Sequence, residues 1–269
     1  MSGPLVMMVT GATRGLGRAL AGELAKRGHK VYGLGRSWEG NEALAFTPLI
    51  MDVREEASVK KAVERVLADE GRLDVVINNA GVSQSGSIEE TPEEAARAMF
   101  ETNYFGLARV IKAVLPIMRG QNSGTIVNVG SAAGRIGIPF QAHYASSKFA
   151  VEGLSEALYH ELKEFKVRVL LIEPGDVRTS IWERSKSDAP ESSPYSEAIK
   201  RFLAVKDREM GGKAAPPETV AREIADIVLS PTTRLRHPVA KGAALILFLR
   251  RVLPDRIFLW AVGRNYGIK

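Results

Sequence analysis

Residues 5–17 read Leu5-Val6-Met7-Met8-Val9-Thr10-Gly11-Ala12-Thr13-Arg14-Gly15-Leu16-Gly17, an apolar run of strand length that passes directly into a glycine-rich turn. The next residues, Arg18-Ala19-Leu20-Ala21-Gly22-Glu23-Leu24-Ala25, carry the spacing of an amphipathic helix. Glycines at spacings of four and then two, placed between a strand and a helix, let the backbone turn tightly and approach a pyrophosphate. The helix N-terminus meets that charge. Gly11, Thr13, Arg14, Gly15, Leu16 and Gly17 are therefore the first candidate cofactor residues.

Working outward, apolar runs of strand length recur at 5–10, 30–35, 46–51, 73–78, 125–130 and 167–172. Amphipathic stretches fit helices at about 15–28, 55–70, 92–119, 142–164 and 216–229, the last beginning at Pro216-Pro217-Glu218. Near-continuous hydrophobicity in the strands is that of a parallel sheet covered on both faces. The alternation predicts an α/β fold: a single-domain, Rossmann-type doubly wound parallel sheet with helices on both faces and a C-terminal helical extension. Residues 1–238 are expected to form the catalytic unit and 239–269 a basic amphipathic extension of it. Residues 179–215, rich in Ser, Pro and charge with one helical patch near 195–206, break the pattern and read as a lid.

At 269 residues, with 45% hydrophobic and 25% charged residues, the chain has ordinary globular composition. It contains no Cys and only four His, which excludes disulfides and thiolate metal sites and predicts no metal centre. No targeting peptide is read at the start, and no uncharged run approaches the ~18–20 residues that span a bilayer. A cytoplasmic protein is expected. The net charge of +6 is unevenly placed: residues 232–269 hold eight basic residues and one acid, Asp255, which leaves the body near neutrality. Without a base-reading motif, no nucleic-acid partner is expected.

Tyr144 and Lys148 stand four apart in His143-Tyr144-Ala145-Ser146-Ser147-Lys148, and Ser131 closes the apolar run thirteen residues upstream of Tyr144. Positions i and i+4 share a helix face, so the Lys148 ammonium is expected beside the Tyr144 phenol, lowering a pKa of about 10. Such a phenol can serve as general acid or base, with Ser131 polarising the same substrate oxygen. Tyr159 and Lys163 repeat the spacing, and Ser146 lies thirteen before Tyr159. Ser146, however, falls inside a predicted helix and Lys163 in a charged run, so the chemistry is assigned to Tyr144.

At the end of the second strand, Val31-Tyr32-Gly33-Leu34-Gly35-Arg36-Ser37 lacks the acid that would take the ribose 2′-hydroxyl of NAD. Arg36, with Arg14, could instead clamp a 2′-phosphate. NADP(H) is therefore expected over NAD(H).

From about residue 5 to 231 these motifs together resemble the short-chain dehydrogenase/reductase family. They are Thr10-Gly11 through Gly17, Asp52-Val53, Asn78-Asn79-Ala80-Gly81, Asn103, Ser131, Tyr144 with Lys148, and Pro174-Gly175 followed by Thr179. The stretches around Asn103 and Pro174 are most similar to its hydroxysteroid and retinol dehydrogenase branch. The resemblance implies hydride transfer between the nicotinamide and a carbonyl or alcohol, with Lys148 also binding the nicotinamide ribose and Asn103 holding a water that links Lys148 to solvent. It further implies Asp52 and Val53 at the adenine, Asn79, Ala80 and Gly81 beside the adenosine ribose, and Pro174, Gly175, Val177 and Thr179 around the nicotinamide. A homodimer or homotetramer, joined through the helices at 92–119 and 142–164, is likewise implied.

The alternative is a nucleotide-binding scaffold or membrane-surface protein without turnover; retention of Ser131, Tyr144 and Lys148 together argues against it. Ser83, Ile138, Phe140 and Trp182 are candidate substrate residues, and apolar members of 183–212 suggest an apolar carbonyl or secondary alcohol. In the tail, apolar segments at 243–249 and 257–262 are separated by Arg250 and Arg251. Helices there either cover the substrate cleft and pack on the partner subunit, which is the preferred reading, or lie in an anionic membrane interface with arginines at the headgroups.

Overall fold

The computed structural model describes residues 3–38, 43–186, 191–212 and 214–268. Seven parallel strands form one sheet: β1 (Val6–Thr10), β2 (Lys30–Gly35), β3 (Thr47–Ile50), β4 (Val75–Asn78), β5 (Gly124–Val129), β6 (Val167–Pro174) and β7 (Arg236–Val239), in the order β3-β2-β1-β4-β5-β6-β7. The chain runs outward from β1 to β3 and then returns to β4 on the other side. That reversal leaves a crevice beyond the carboxyl ends of β1 and β4, where ligands of such sheets bind.

Adjacent residues of the central strand face opposite cores. Met8 packs with Val110, Val114 and Leu171 on one side, beneath α2 (Glu56–Glu70), α4 (Leu107–Gly120) and α5 (Ala142–Glu161). Met7 and Val9 pack with Leu20, Leu24, Ile224 and Val228 on the other, beneath α1 (Gly15–Lys26) and α8 (Pro217–Leu229). The strands are accordingly apolar on both faces, as their composition required.

The seventh strand was not expected. Arg236-His237-Pro238-Val239 is short, largely polar and holds a proline, so it lacks a strand signature. It is tolerated because, among the described residues, β7 pairs only with β6 and stands at a sheet edge, as β3 does with Pro48 at the opposite edge. The expected helix at 92–119 is instead α3 (Glu93–Phe100), a π-helical turn over Glu101–Gly106, and α4. The lid is more regular than expected: α6 (Ser180–Ser185) and α7 (Ser196–Gly212) fill most of it, while 187–190 and 213 lie outside the described residues. The tail folds as α9 (Ala243–Val252) and α10 (Asp255–Asn265), with Leu247 and Phe258 buried against Ile136.

Candidate active site

The phosphate loop is shaped by two close backbone approaches. Gly11 has φ +67°, and a Cβ there would stand 2.8 Å from the Ala80 Cα; a Cβ on Gly17 would stand 2.3 Å from the Gly11 carbonyl oxygen. Neither position admits a side chain, so α1 begins hard against the end of β1. Thr10 fastens the neighbouring turn, its hydroxyl accepting the backbone N–H groups of Asn79 at 3.0 Å and Ala80 at 2.9 Å. The Asn79 side-chain amide donates to the Thr10 carbonyl at 2.9 Å and the Gly11 carbonyl at 3.3 Å. Asn79 thus braces the loop as well as lining the cleft. Thr10 is a structural contributor that motif reading passed over, although a hydroxyl residue at the tip of β1 was visible.

A cleft of about 720 Å³ runs from this loop across the carboxyl ends of the strands to the tail. It brings together Gly11, Thr13, Arg14, Gly15, Leu16, Gly17, Arg36, Asp52, Val53, Asn79, Ala80, Gly81, Pro174, Gly175, Val177 and Thr179 along one stretch, and Ser131, Tyr144 and Lys148 beyond it. The glycines let α1 begin at the edge of this cleft, so that its N-terminal N–H groups face the place where a dinucleotide's pyrophosphate would lie.

At the end of β2, the absence of an acid has a steric cause. A Cβ on Gly35 would lie 2.2 Å from the Thr13 methyl. Around this position the charge is positive. Arg14 and Arg36 are exposed and unpaired with any acid among the described residues, and Arg184 of α6 feels both of them, its own guanidinium held below its ordinary pKa by burial and then by these neighbours. Arg184 was missed in the sequence because it sits in the lid, far along the chain. Asp52 is held below the usual carboxylate range by its Arg54 ion pair at 2.6 Å, against the opposing effect of burial.

Ser131, at the tip of β5, opens a 3₁₀ turn over Ala132–Gly134; its hydroxyl accepts the Ala133 N–H at 3.1 Å and faces the Tyr144 phenol, whose ionised form it favours. Tyr144 and Lys148 share the inward face of α5. Lys148 is almost fully buried and donates to the Val129 carbonyl at 2.9 Å. The expected pKa direction for Tyr144 is corrected: burial pushes the phenol up, and the Ser131 hydroxyl and the Lys206 charge only partly oppose this. Lys148 does not supply the lowering, because its ammonium is turned onto the strand and is itself pulled down to about 8 by burial, with Glu152 supporting its charge.

Asn103 lies in the π-helical turn, where the widened backbone repeat aims its side chain inward. Its amide donates to the Val82 carbonyl and the Ser147 hydroxyl, both at 2.9 Å, and its oxygen accepts the Val82 N–H at 2.8 Å. These bonds tie the segment after β4 to α5.

Of the candidate substrate residues, Ser83, Ile138 and Trp182 line the cleft, and Phe140 does not. Phe140 stands behind the wall, packed against Tyr195 and Phe202. Trp182 both lines the cleft and latches the lid, donating to Asp207 at 2.7 Å. The decoy Tyr159 packs against the core under α5. Sequence reasoning also missed Lys206 of α7, which is buried in the cleft wall and paired with Asp176 at 2.7 Å and Glu209 at 3.2 Å. Burial disfavours its charge, but Tyr266, Asp176 and Glu209 outweigh that and hold the ammonium above its ordinary range. An isolated lysine in a mixed helical pattern gives no such signal.

The family model described as short chain dehydrogenase matches residues 5–190. The chain is 36% identical to a 3-ketodihydrosphingosine reductase of Bacteroides thetaiotaomicron, over 99% of each chain. It is 35% identical to human 17-beta-hydroxysteroid dehydrogenase type 1, over 97% of this chain and 83% of that one. Among solved structures it is similar to a short chain dehydrogenase/reductase from Burkholderia phymatum in complex with NAD, with a TM-score of 0.79 and 27% identity, covering 96% of this chain and 95% of that one.

Proposed function

The chain belongs to the short chain dehydrogenase family of oxidoreductases, and from that premise we propose that it is an NADP(H)-dependent reductase of apolar ketones, or the corresponding alcohol dehydrogenase. The observation that carries the reading is the meeting of Ser131, Tyr144 and Lys148 in the same cleft as the glycine cradle. Gly11, Gly15 and Gly17 would hold the pyrophosphate, and Pro174, Gly175, Val177 and Thr179 would surround the nicotinamide. When bound, the reduced nicotinamide supplies a hydride. Ser131 holds and polarises the carbonyl oxygen, and Tyr144 gives that oxygen its proton, so that ketone, hydride and proton account for the alcohol. Lys148, whose ammonium is anchored on the Val129 carbonyl, would hold the nicotinamide ribose beside this site. Asn103 holds α5 and the segment after β4 in register around it.

The NADP(H) preference rests on this chain's own arginines. The similar solved chain holds NAD, whereas here Arg14, Arg36 and Arg184 surround the end of β2 and Thr13 fills the space an acid would need. An apolar substrate fits the far end of the cleft, where Ile138, Trp182, Ile246, Leu249, Leu253 and Val262 form the wall. The names of the two relatives, which concern a ketodihydrosphingosine and a hydroxysteroid, agree with an apolar ketone. We also place the protein in the cytoplasm and as a homodimer or homotetramer; Phe105 and Phe149, exposed beside α4 and on α5, suit the shared helical interface. The test is NADPH oxidation by purified protein against a panel of apolar ketones, aldehydes and quinones. Turnover of apolar ketones supports the reading, and dinucleotide binding without turnover of any carbonyl would favour the silent scaffold.

A further inference from the structure

The tail helices are apolar on both sides. Inward, Leu247 and Phe258 bury against Ile136, while Leu249, Leu253 and Val262 line the cleft. Outward, Leu245, Phe248 and Val252 recur at helical spacing on α9, and Ile257 and Trp260 do so on α10, each at least half exposed. With Leu259, these are six of the twelve large apolar side chains exposed among the described residues, gathered on two short helices. A solvated helix pair would carry polar groups on that side. Concentrated exposure of this kind marks an interaction surface.

The charges beside it are of one sign. Arg251 and Arg256 are exposed and enter no ion pair among the described residues; Arg264 lies over the Trp260 ring, 5.4 Å from its centre. The only acid of the tail, Asp255, is already paired with Arg250. Two copies meeting symmetrically through this face would set arginines against arginines. An anionic surface would instead neutralise them while its acyl region received Phe248, Ile257 and Trp260. No helix among the described residues is long and apolar enough to cross a membrane, so the geometry is that of helices lying on one.

We infer that the outer face of α9 and α10 docks on an anionic lipid bilayer, and that the same helix pair forms the wall by which an apolar substrate passes from lipid into the cleft. The second half rests on the reductase reading above; the first does not. Because the inner side of these helices lines the cleft, docking places its tail end against the acyl region, sparing an apolar ketone a passage through water.

The experiment is flotation of the full chain with vesicles, without any carbonyl substrate. Binding to phosphatidylcholine–phosphatidylglycerol vesicles that weakens with salt, and little binding to phosphatidylcholine alone, is expected. Replacing Arg251 and Arg256 together by Gln should weaken binding about thirtyfold, from roughly 1 kcal/mol per basic residue. Phe248→Ser with Trp260→Ser should also release the protein. Both variants alter exposed groups outside the cleft, so NADPH binding, thermal midpoint and turnover of a water-soluble ketone should match the parent. Absence of flotation with either vesicle would overturn docking, as would undiminished binding of the arginine variant. Loss of self-association in the Phe248→Ser, Trp260→Ser protein, with no vesicle binding in the parent, would assign the face to a second copy. A protein that floats but reduces no carbonyl would leave the docking intact and remove the reductase reading instead.

Discussion

Glu152 stands one helical turn beyond Lys148 on α5, and its carboxylate supports the ammonium charge that burial opposes. Glu152 is itself pushed up to about 7 by burial and by the neighbouring Glu173, against the pull of Arg236. It is therefore largely ionised where Lys148, at about 8, begins to lose its proton. In the proposed reductase the ammonium form of Lys148 binds the nicotinamide ribose, so kcat/KM is expected to fall as pH rises through about 8. Glu152→Gln keeps a hydrogen-bond acceptor for Arg236 but removes the supporting charge, which lowers the Lys148 pKa. The alkaline limb should move to lower pH; a pH profile with an unmoved limb would show that Glu152 does not govern Lys148.

Cofactor choice is predicted from the end of β2. The parent should show a higher kcat/KM with NADPH than with NADH. Arg36→Asp should lower the NADPH value about 10- to 100-fold, the loss expected for one charge-assisted contact plus a facing carboxylate, and should favour NADH. Gly35→Asp should not achieve this alone, because Thr13 fills the space. Combining it with Thr13→Ala should restore cofactor binding and raise NADH use. Equal efficiencies with the two cofactors in the parent would contradict the assignment.

The tail is predicted to be part of the folded unit. Phe258 is buried against Ile136 and Leu247, so Phe258→Ala should cost about 3–5 kcal/mol of stability by leaving a cavity. Deleting 240–269 should impair folding or raise KM for apolar substrates, since it strips one wall of the cleft. Thermal unfolding and KM measured on both variants check this. A truncation with parental midpoint and KM would mean that the helices are dispensable.

What was legible in the sequence followed from local chemistry. The glycine loop announces itself because a backbone that must approach another backbone within van der Waals contact can use no other residue, and Tyr144 with Lys148 because helical periodicity puts them on one face. Less legible were contributions whose meaning depends on distant partners. Arg184 joins Arg14 and Arg36 only through the folded lid, and Lys206 finds Asp176 only across the cleft. The strand β7 escaped because an edge position relaxes the demand for apolar residues. Spacing also placed Lys148 beside Tyr144 without revealing that its ammonium would turn to Val129, which is why the pKa direction for the phenol was misjudged. Phe140 looked like a pocket residue by composition, but it packs against Phe202 instead.

The central claim is that Tyr144 donates the proton, and the most direct measurement is turnover and NADPH binding of Tyr144→Phe beside Tyr159→Phe. The ring is conserved in the substitution, so the cofactor site and the packing of α5 should persist. Tyr144→Phe is predicted to bind NADPH like the parent while losing about 10²–10⁴-fold or more in kcat, and Tyr159→Phe to keep its rate. Normal turnover by Tyr144→Phe, with the loss falling on Tyr159→Phe, would contradict the account.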